Sequence, residues 1–308
     1  MYCKMTTKLF LILIISTQAI FIALDFVNAY FEKKKDVKTE KKSLKPLSLF
    51  FLIGVIIVYA LIQFGGLALI PKTEVLIQWF KEFIPSIQIF NFENTPPPLG
   101  WLLLGVFTFY ISGFWDYVIH RFLSHSRTLF FTHEYHHLPN RLFLALPGLS
   151  VRPFVVIAVL PATLGTVFSI IAVLKILNLE NVSLMPMVYV IILIQSVILA
   201  ITHSEFFMSQ WWMYRWFKFL AITSPQEHEM HHTVDLRGNY GNFTMLYDKL
   251  FGTYVDPAKP ENQNHALGLS YDQDFLGALT AGKLKLSKKI RQKYQIDRFC
   301  NLDKESNR

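Results

Sequence analysis

Long uncharged runs of apolar residues constrain the fold of this chain more than any other feature. A helix needs about 20 apolar residues to cross the hydrocarbon core of a bilayer. Only 17% of the 308 residues are charged, against about 25% in an average soluble domain. We therefore expect an all-α, polytopic transmembrane helical bundle. The candidate spans cover residues 9–24, 46–71, 94–115, 153–174 and 181–204.

Three of these runs carry features that modify the expectation. The first continues past Asp25 to Tyr30, and it also resembles a signal peptide with a cleavage site at residues 27–29. The third begins with consecutive prolines, so its helix should start near Leu99. The fourth contains Pro161, which predicts a kink or a re-entrant shape.

Lysines predict the orientation of the bundle. Seven of them lie between Lys33 and Lys45, directly after the first run, and loops of this kind stay in the cytoplasm. They favour an uncleaved anchor over a signal peptide. The alternation of spans then places residues 116–152 and everything after Ser204 on the cytoplasmic face of a bacterial inner membrane or an endoplasmic reticulum. The net charge of +8 has the same explanation, so no nucleic-acid partner is expected.

The loop at residues 72–93 has a pattern of its own. It holds two lysines against three glutamates, so it should face the opposite side of the membrane. Its apolar residues have helical spacing and indicate a short amphipathic helix. They are Val75, Leu76, Trp79, Phe80 and Phe83. This helix would either lie on the membrane surface or cover its neighbours, and both interpretations stay open.

Nine of the ten histidines lie between positions 120 and 232. The four groups are His120 with His125, His133 with His136 and His137, the single His203, and His228 with His231 and His232. His203 ends the last apolar run, level with the other groups. His265 stands apart, and we expect it at the surface.

The histidine spacing predicts metal binding. The pattern H-x-x-H-H occurs twice, and residues at i, i+3 and i+4 share one helix face, so each copy should aim three imidazoles at one point. His120 and His125 do not share a face of an ideal helix, so a loop should place His125. Imidazole is the commonest metal ligand in proteins, and nine exceed what one ion can use. We predict two metal ions with four or five histidines each.

Acidic residues accompany the histidines. Asp116 precedes His120 by four residues, where its carboxylate could accept an imidazole N–H. Glu134, Glu227 and Glu229 are interleaved with the histidines, and we interpret them as solvated charges rather than ligands. No side chain is assigned a catalytic role beyond the metal ligands.

The histidine groups, together with the segments 239–241 and 248–253, resemble the fatty acid hydroxylase superfamily of sterol desaturases, sterol methyl oxidases and sphingolipid hydroxylases. The resemblance covers residues 99–254. It implies two iron ions, held by the nine histidines in a cytoplasmic helical cap; zinc would suit the same ligands. It also implies that Asn239 and Tyr240, together with Asp116, surround the metal ligands.

The resemblance further implies an O2-dependent hydroxylation or desaturation at a C–H bond of a membrane lipid. A sterol, a fatty acyl chain, a sphingolipid and an ether lipid all remain open as substrates. The chain has no dinucleotide-binding fingerprint and no cysteine cluster, since Cys3 and Cys300 lie at opposite ends. Electrons should therefore come from a separate donor such as cytochrome b5 or ferredoxin with its reductase.

We divide the chain into three parts. Residues 1–98 form an N-terminal membrane region with two spans, a basic loop and an interfacial helix; residues 99–254 form the catalytic domain; residues 255–308 form a basic cytoplasmic tail. The alternatives are a histidine-lined metal transporter and a non-catalytic relative that binds metal or lipid. A transporter would place its ligands near the membrane midplane, whereas eight of the nine clustered histidines lie outside the uncharged runs, which favours the enzyme.

Overall fold

A computed structural model describes residues 7–35, 57, 72–85, 98–139, 154–179, 184–234, 238–263 and 265–294. Within these ranges the chain is helical and forms no β-strand, only two isolated bridges. The all-α prediction is therefore confirmed. The longer helices are α1 (Thr7–Lys35), α2 (Lys72–Phe83), α3 (Pro98–Ile119), α5 (Val155–Ile176) and α6 (Met185–Thr202). The shorter ones are α4 (Phe131–His137), α7 (Glu205–Met208), α8 (Trp211–Phe219), α9 (Pro225–His231), α10 (Leu246–Leu250), α11 (Phe275–Leu279) and α12 (Lys288–Lys293).

Four helices are long and apolar enough to cross a membrane. They are Leu9–Asn28, Leu99–Ser124, Ile157–Ile176 and Met185–Thr202. These segments confirm four of the five predicted spans and make the chain a multi-pass membrane protein. The remaining run, residues 46–71, lies outside the described residues except for Ile57. Helix α5 continues unbroken through Pro161, so the prediction of a re-entrant segment there is wrong.

Helices α3, α5 and α6 pack into the centre of the bundle. Trp115 of α3 donates through its indole Nε1 to Ser169 Oγ of α5 at 3.0 Å. Gln195 of α6 donates through Nε2 to Ser112 Oγ of α3 at 2.6 Å. These bonds satisfy polar groups between apolar surfaces, where an unpaired donor is costly. The bonds connect α3 to both neighbouring helices, and α3 and α6 are each followed directly by a histidine.

Helix α2 covers its neighbours, one of the two roles that its sequence left open. Ile77 and Phe80 are buried, and the Phe80 ring meets Phe168 of α5 with centroids 5.8 Å apart. Trp79 and Phe83 are exposed on the other side, their rings stacked at 5.2 Å. The helix therefore covers the bundle with one face and leaves an aromatic face outward.

Helix α1 reaches the segment that follows the last span. Near its start, Phe10 packs on Tyr189 of α6 with ring centroids 4.8 Å apart. Near its end, the buried carboxylate of Asp25 accepts hydrogen bonds from Ser204 Oγ and from the backbone N–H of Phe206. Because Ser204 follows His203 directly, the first helix contributes to the packing beside that histidine.

The contact between α3 and α5 generates a stability prediction. In Gly165→Ala, the new Cβ would meet carbons of the Trp115 indole at 2.3–2.7 Å. Overpacking of this kind costs about 1–3 kcal/mol, so the variant should unfold at a lower temperature in detergent. Gly105→Ala is the matched control, because nothing lies within 4 Å of its added Cβ. Equal melting temperatures for the two variants would contradict this packing.

Candidate metal centre

The structure gathers all nine clustered histidines into two groups. In each group, one ring nitrogen per histidine lies within 4.8 Å of those of the other members. The five-histidine group contains His120, His125, His133, His137 and His231. The four-histidine group contains His136, His203, His228 and His232. All are buried except His125, which is partly exposed. His265 belongs to neither group, and its Nε2 lies 3.0 Å from the carbonyl oxygen of Glu261.

The two H-x-x-H-H helices each serve both groups. In α4, the first and last histidines of the motif join the five-histidine group, and His136 joins the other. In α9 the division is reversed, and only His231 joins the five-histidine group. The expectation that each motif aims at one point is therefore wrong. Successive helical residues point about 100° apart, so the adjacent histidines of each motif diverge toward different centres.

A π-helical turn brings His120 and His125 together. Helix α3 ends at Ile119, and the chain continues as a π-helix over His120–Ser124, with the His125 N–H bonded to the His120 carbonyl at 3.1 Å. A π-helix joins residues i and i+5, so the two rings lie on one side, with centroids 5.0 Å apart. This turn, rather than the predicted loop, places His125.

Backbone carbonyls orient three of the histidines. A carbonyl oxygen only accepts hydrogen bonds, so the Nδ1 atom facing it carries the proton. In the neutral ring, Nε2 is then left with a lone pair. The pairs are His120 Nδ1 with the Tyr240 carbonyl, His231 Nδ1 with the Gly238 carbonyl at 3.0 Å, and His203 Nδ1 with the Leu199 carbonyl at 2.8 Å.

The Nε2 atoms of these oriented rings face other imidazoles. The distances are 2.9 Å from His120 to His133, 3.2 Å from His231 to His125, and 3.1 Å from His203 to His228. His228 Nε2 also lies 3.1 Å from His232 Nε2. Lone pairs that meet at such distances repel unless a proton or a cation lies between them.

The loop at residues 238–242 supplies two of the three carbonyls. The carboxylate of Asp248 holds this loop by accepting from the backbone N–H groups of Tyr240 and Gly241, both at 2.8 Å, and from Thr253 Oγ1 at 2.7 Å. Burial raises the pKa of Asp248 to about 6, although these three hydrogen bonds lower it. Asp248 therefore fixes the carbonyl that orients His120.

Asn242 lies between Asp116 and His120. The carboxylate accepts from the backbone N–H and the side-chain Nδ2 of Asn242, both at 2.9 Å. The same Nδ2 lies 3.2 Å from His120 Nδ1. Sequence reasoning missed Asn242, and its only signal was its position directly after the 239–241 segment.

Asn239 connects the loop to α9. Its Nδ2 donates to the carbonyls of Glu227 at 2.9 Å and Val255 at 2.8 Å. Its φ is 52°, in the left-handed region where asparagine is enriched over other non-glycine residues. The residue thus anchors α9, which carries His228 and His231 and is followed by His232. Tyr240 lies closer, with its ring packed against His125 at 5.2 Å.

Glu134 of α4 is buried, so the expectation of a solvated charge is wrong there. It accepts from the hydroxyl of Tyr271 and from Gln273 Nε2, the latter at 3.1 Å. Hydrogen bonding to Glu134 and burial both raise the pKa of Tyr271, burial having the larger effect. Both partners lie beyond residue 254, in the segment predicted to be a tail.

Glu227 of α9 is fully buried, which corrects the same expectation. It completes a capping box with Ser224, whose N–H and hydroxyl donate to Oε2 at 3.0 and 2.8 Å. The Tyr254 hydroxyl donates to Oε1 at 2.8 Å. Burial raises the pKa of Glu227, although the bonds from Ser224 and Tyr254 lower it. Glu229 is partly exposed.

This donor set fits two metal cations. Four or five imidazole nitrogens converge in each group, which suits iron, copper and zinc. A cation between the facing Nε2 atoms would accept lone pairs that otherwise repel. Glu134, Glu227 and Asp248 accept hydrogen bonds from uncharged donors, so their buried negative charge favours a nearby cation.

The fatty acid hydroxylase family model matches residues 105–253. This range contains all nine grouped histidines, the π-helical turn and the carbonyl-bearing loop. This match confirms the resemblance noted in the sequence. The match indicates an oxidoreductase of the lipid hydroxylase or desaturase type. No significant match was found among curated proteins or among solved structures.

The role of Asp248 generates a second prediction. Asp248→Ala should destabilise the chelator-treated protein, because the buried N–H of Gly241 and the partly buried N–H of Tyr240 would lose their acceptor. The loss of a buried acceptor costs about 1–3 kcal/mol. Glu261→Ala is the control. This exposed carboxylate lies 4.0 Å from the exposed Lys259 ammonium, and exposed ion pairs contribute little to stability. Denaturant unfolding of both variants provides the measurement. An Asp248→Ala midpoint equal to that of the control would contradict the bracing role.

Proposed function

We propose that this protein is an O2-dependent di-iron lipid hydroxylase or desaturase, with one iron in each histidine group. The observation that carries the proposal is the division of nine histidines, eight of them buried, into groups of five and four that share the same two helices. Iron bound there would supply the activation of O2 and the oxidation of an aliphatic C–H bond.

The chain's own residues prepare this site in three ways. The carbonyls of Leu199, Gly238 and Tyr240 hold Nδ1 protons and direct the Nε2 lone pairs inward. Burial of the imidazoles keeps bulk water away from the ligands. The buried carboxylates of Glu134 and Glu227 offset the positive charge that nine neutral ligands leave uncompensated.

A membrane lipid is the proposed substrate because both groups lie where spans end. His120 follows α3 directly, and His203 follows α6 directly. A lipid between the spans would gain about 0.8 kcal/mol for each buried CH2 group. We place the histidines on the cytoplasmic face, from the lysines after the first span. Electrons would come from a separate protein such as cytochrome b5 or ferredoxin with its reductase.

Two other assignments fit the site less well. A metal transporter would hold its ligands near the middle of its spans, whereas these groups lie at the ends of α3 and α6. Zinc suits the same imidazoles, and measurement of the bound metal distinguishes it from iron.

The division into two groups predicts selective loss of metal. Purified protein should contain about two irons per chain, because each histidine set suits one ion. His125→Ala with His133→Ala should remove about one of them, and so should His203→Ala with His232→Ala. His265→Ala is the matched control and should retain both. Metal per chain is measured by mass spectrometry, with circular dichroism to verify folding. Unchanged metal in both double variants would overturn the ligand assignment, and zinc alone would oppose the O2 chemistry.

The reaction itself predicts a change in lipids. Protein in vesicles of extracted membrane lipids, given reduced ferredoxin and ¹⁸O2, should form a lipid that has gained one ¹⁸O atom or lost two hydrogens. The first product identifies a hydroxylase and the second a desaturase. The variant with His203→Ala and His232→Ala should form neither. Lack of any product from iron-loaded wild-type protein, also with reduced cytochrome b5, would contradict the proposed activity.

A further inference from the structure

An exposed apolar surface lies outside the four candidate spans, on α8, α10 and the residues that follow them. On α8, Trp212, Trp216 and Phe219 are spaced at i, i+4 and i+7, so they share one face, while Met213 and Tyr214 are buried on the other. Phe219 is 81% exposed. The whole set, which we call the α8–α10 surface, comprises Trp212, Trp216, Phe219, Leu220, Leu250 and Phe251.

This surface lies against a span rather than above it. The hydroxyl of Tyr110, in α3, donates to the backbone carbonyl of Leu220. Tyr110 precedes His120 by ten residues, which corresponds to about 15 Å along a helix axis. Leu220 therefore lies at a level well within the candidate span Leu99–Ser124.

The α8–α10 surface continues an exposed apolar face of that span. Leu103 and Val106 precede Tyr110 by seven and four residues, so they share its helix face, and both are exposed. Tyr117, seven residues after Tyr110, stacks on Phe251 with ring centroids 5.5 Å apart and an interplanar angle of 17°. One apolar strip thus runs from the span onto α8 and α10.

The residues on α8 have the composition of a membrane interface. Arg215 is exposed on the same side as Trp212 and Trp216. Tryptophan is enriched at the level of lipid headgroups, and arginine can extend its charge to water from an apolar surface. A water-exposed patch of this kind on a soluble domain would instead mark an interaction site.

We propose that the α8–α10 surface is seated in the lipid bilayer, on the side where the histidines lie. Phe219, Leu220, Leu250 and Phe251 contact acyl chains, and Trp212 with Arg215 lies at the headgroups. The occupant is lipid because the surface is continuous with the exposed face of α3. Helix α9 begins five residues after Leu220. The depth of the α8–α10 surface in the bilayer therefore determines how far the second histidine motif lies from the lipid.

Spin-label accessibility in the full-length protein tests the proposal. The background carries Cys3→Ser and Cys300→Ser, and the protein is placed in nanodiscs of phosphatidylcholine and phosphatidylglycerol. A nitroxide at Phe219→Cys is exposed to O2, which concentrates in lipid, and to a water-soluble nickel chelate. Leu103→Cys on α3 is the lipid reference, and Lys283→Cys, at an exposed position, is the water reference.

The expected result is an O2-to-nickel collision ratio at Phe219→Cys that matches Leu103→Cys and exceeds Lys283→Cys several-fold. Trp212→Cys should give a lower ratio than Phe219→Cys, because it lies nearer the headgroups. A ratio equal to that of Lys283→Cys would overturn the proposal. Low accessibility to both reagents would also overturn it, by indicating that protein covers the surface. Leu250→Cys on α10 provides an independent reading if Phe219→Cys does not fold.

Discussion

The pairing of imidazole Nδ1 atoms with backbone carbonyls is the interaction on which the rest of this site depends. A buried histidine can point either nitrogen at a metal, and the carbonyl decides which one by accepting the proton of the other. The carbonyls come from separate parts of the chain: Leu199 lies within a span, whereas Gly238 and Tyr240 lie in a loop. His120 of the five-histidine group is therefore oriented only when the loop has packed against the end of α3, whereas His203 is oriented by a carbonyl of its own helix.

The bundle and the polar layer have different physical requirements. The spans pack through apolar surfaces and a few bonds such as Trp115 to Ser169. The layer at their ends is dense in buried polar groups, and each needs a partner because an unpaired one is costly. Asp248, Asn239 and Asn242 meet that requirement by connecting the loop to neighbouring helices. If α8 lies in the bilayer as proposed, it connects the bundle of spans to the polar layer at the lipid boundary.

Residues outside the family match also reach this layer. Asp25 of α1 bonds to Ser204, the neighbour of His203. Tyr271 and Gln273 bond to Glu134 between two histidines of α4. Residues that precede the histidine-bearing segment in the sequence and residues that follow it thus both contact that segment. These contacts were not predictable, because no periodicity or motif connects residues so far apart in the chain.

The sequence by itself determined the four described spans, the nine clustered histidines and the resemblance to the fatty acid hydroxylase family, because apolar run length and histidine spacing are local properties. Only the tertiary structure decided how the histidines divide. Adjacent ligands such as His136 and His137 diverge on a helix, so their destinations depend on which helix faces them. It also decided that a π-helical turn places His125 and that Glu134 and Glu227 are buried. Those outcomes depend on packing between distant segments, which no local pattern encodes.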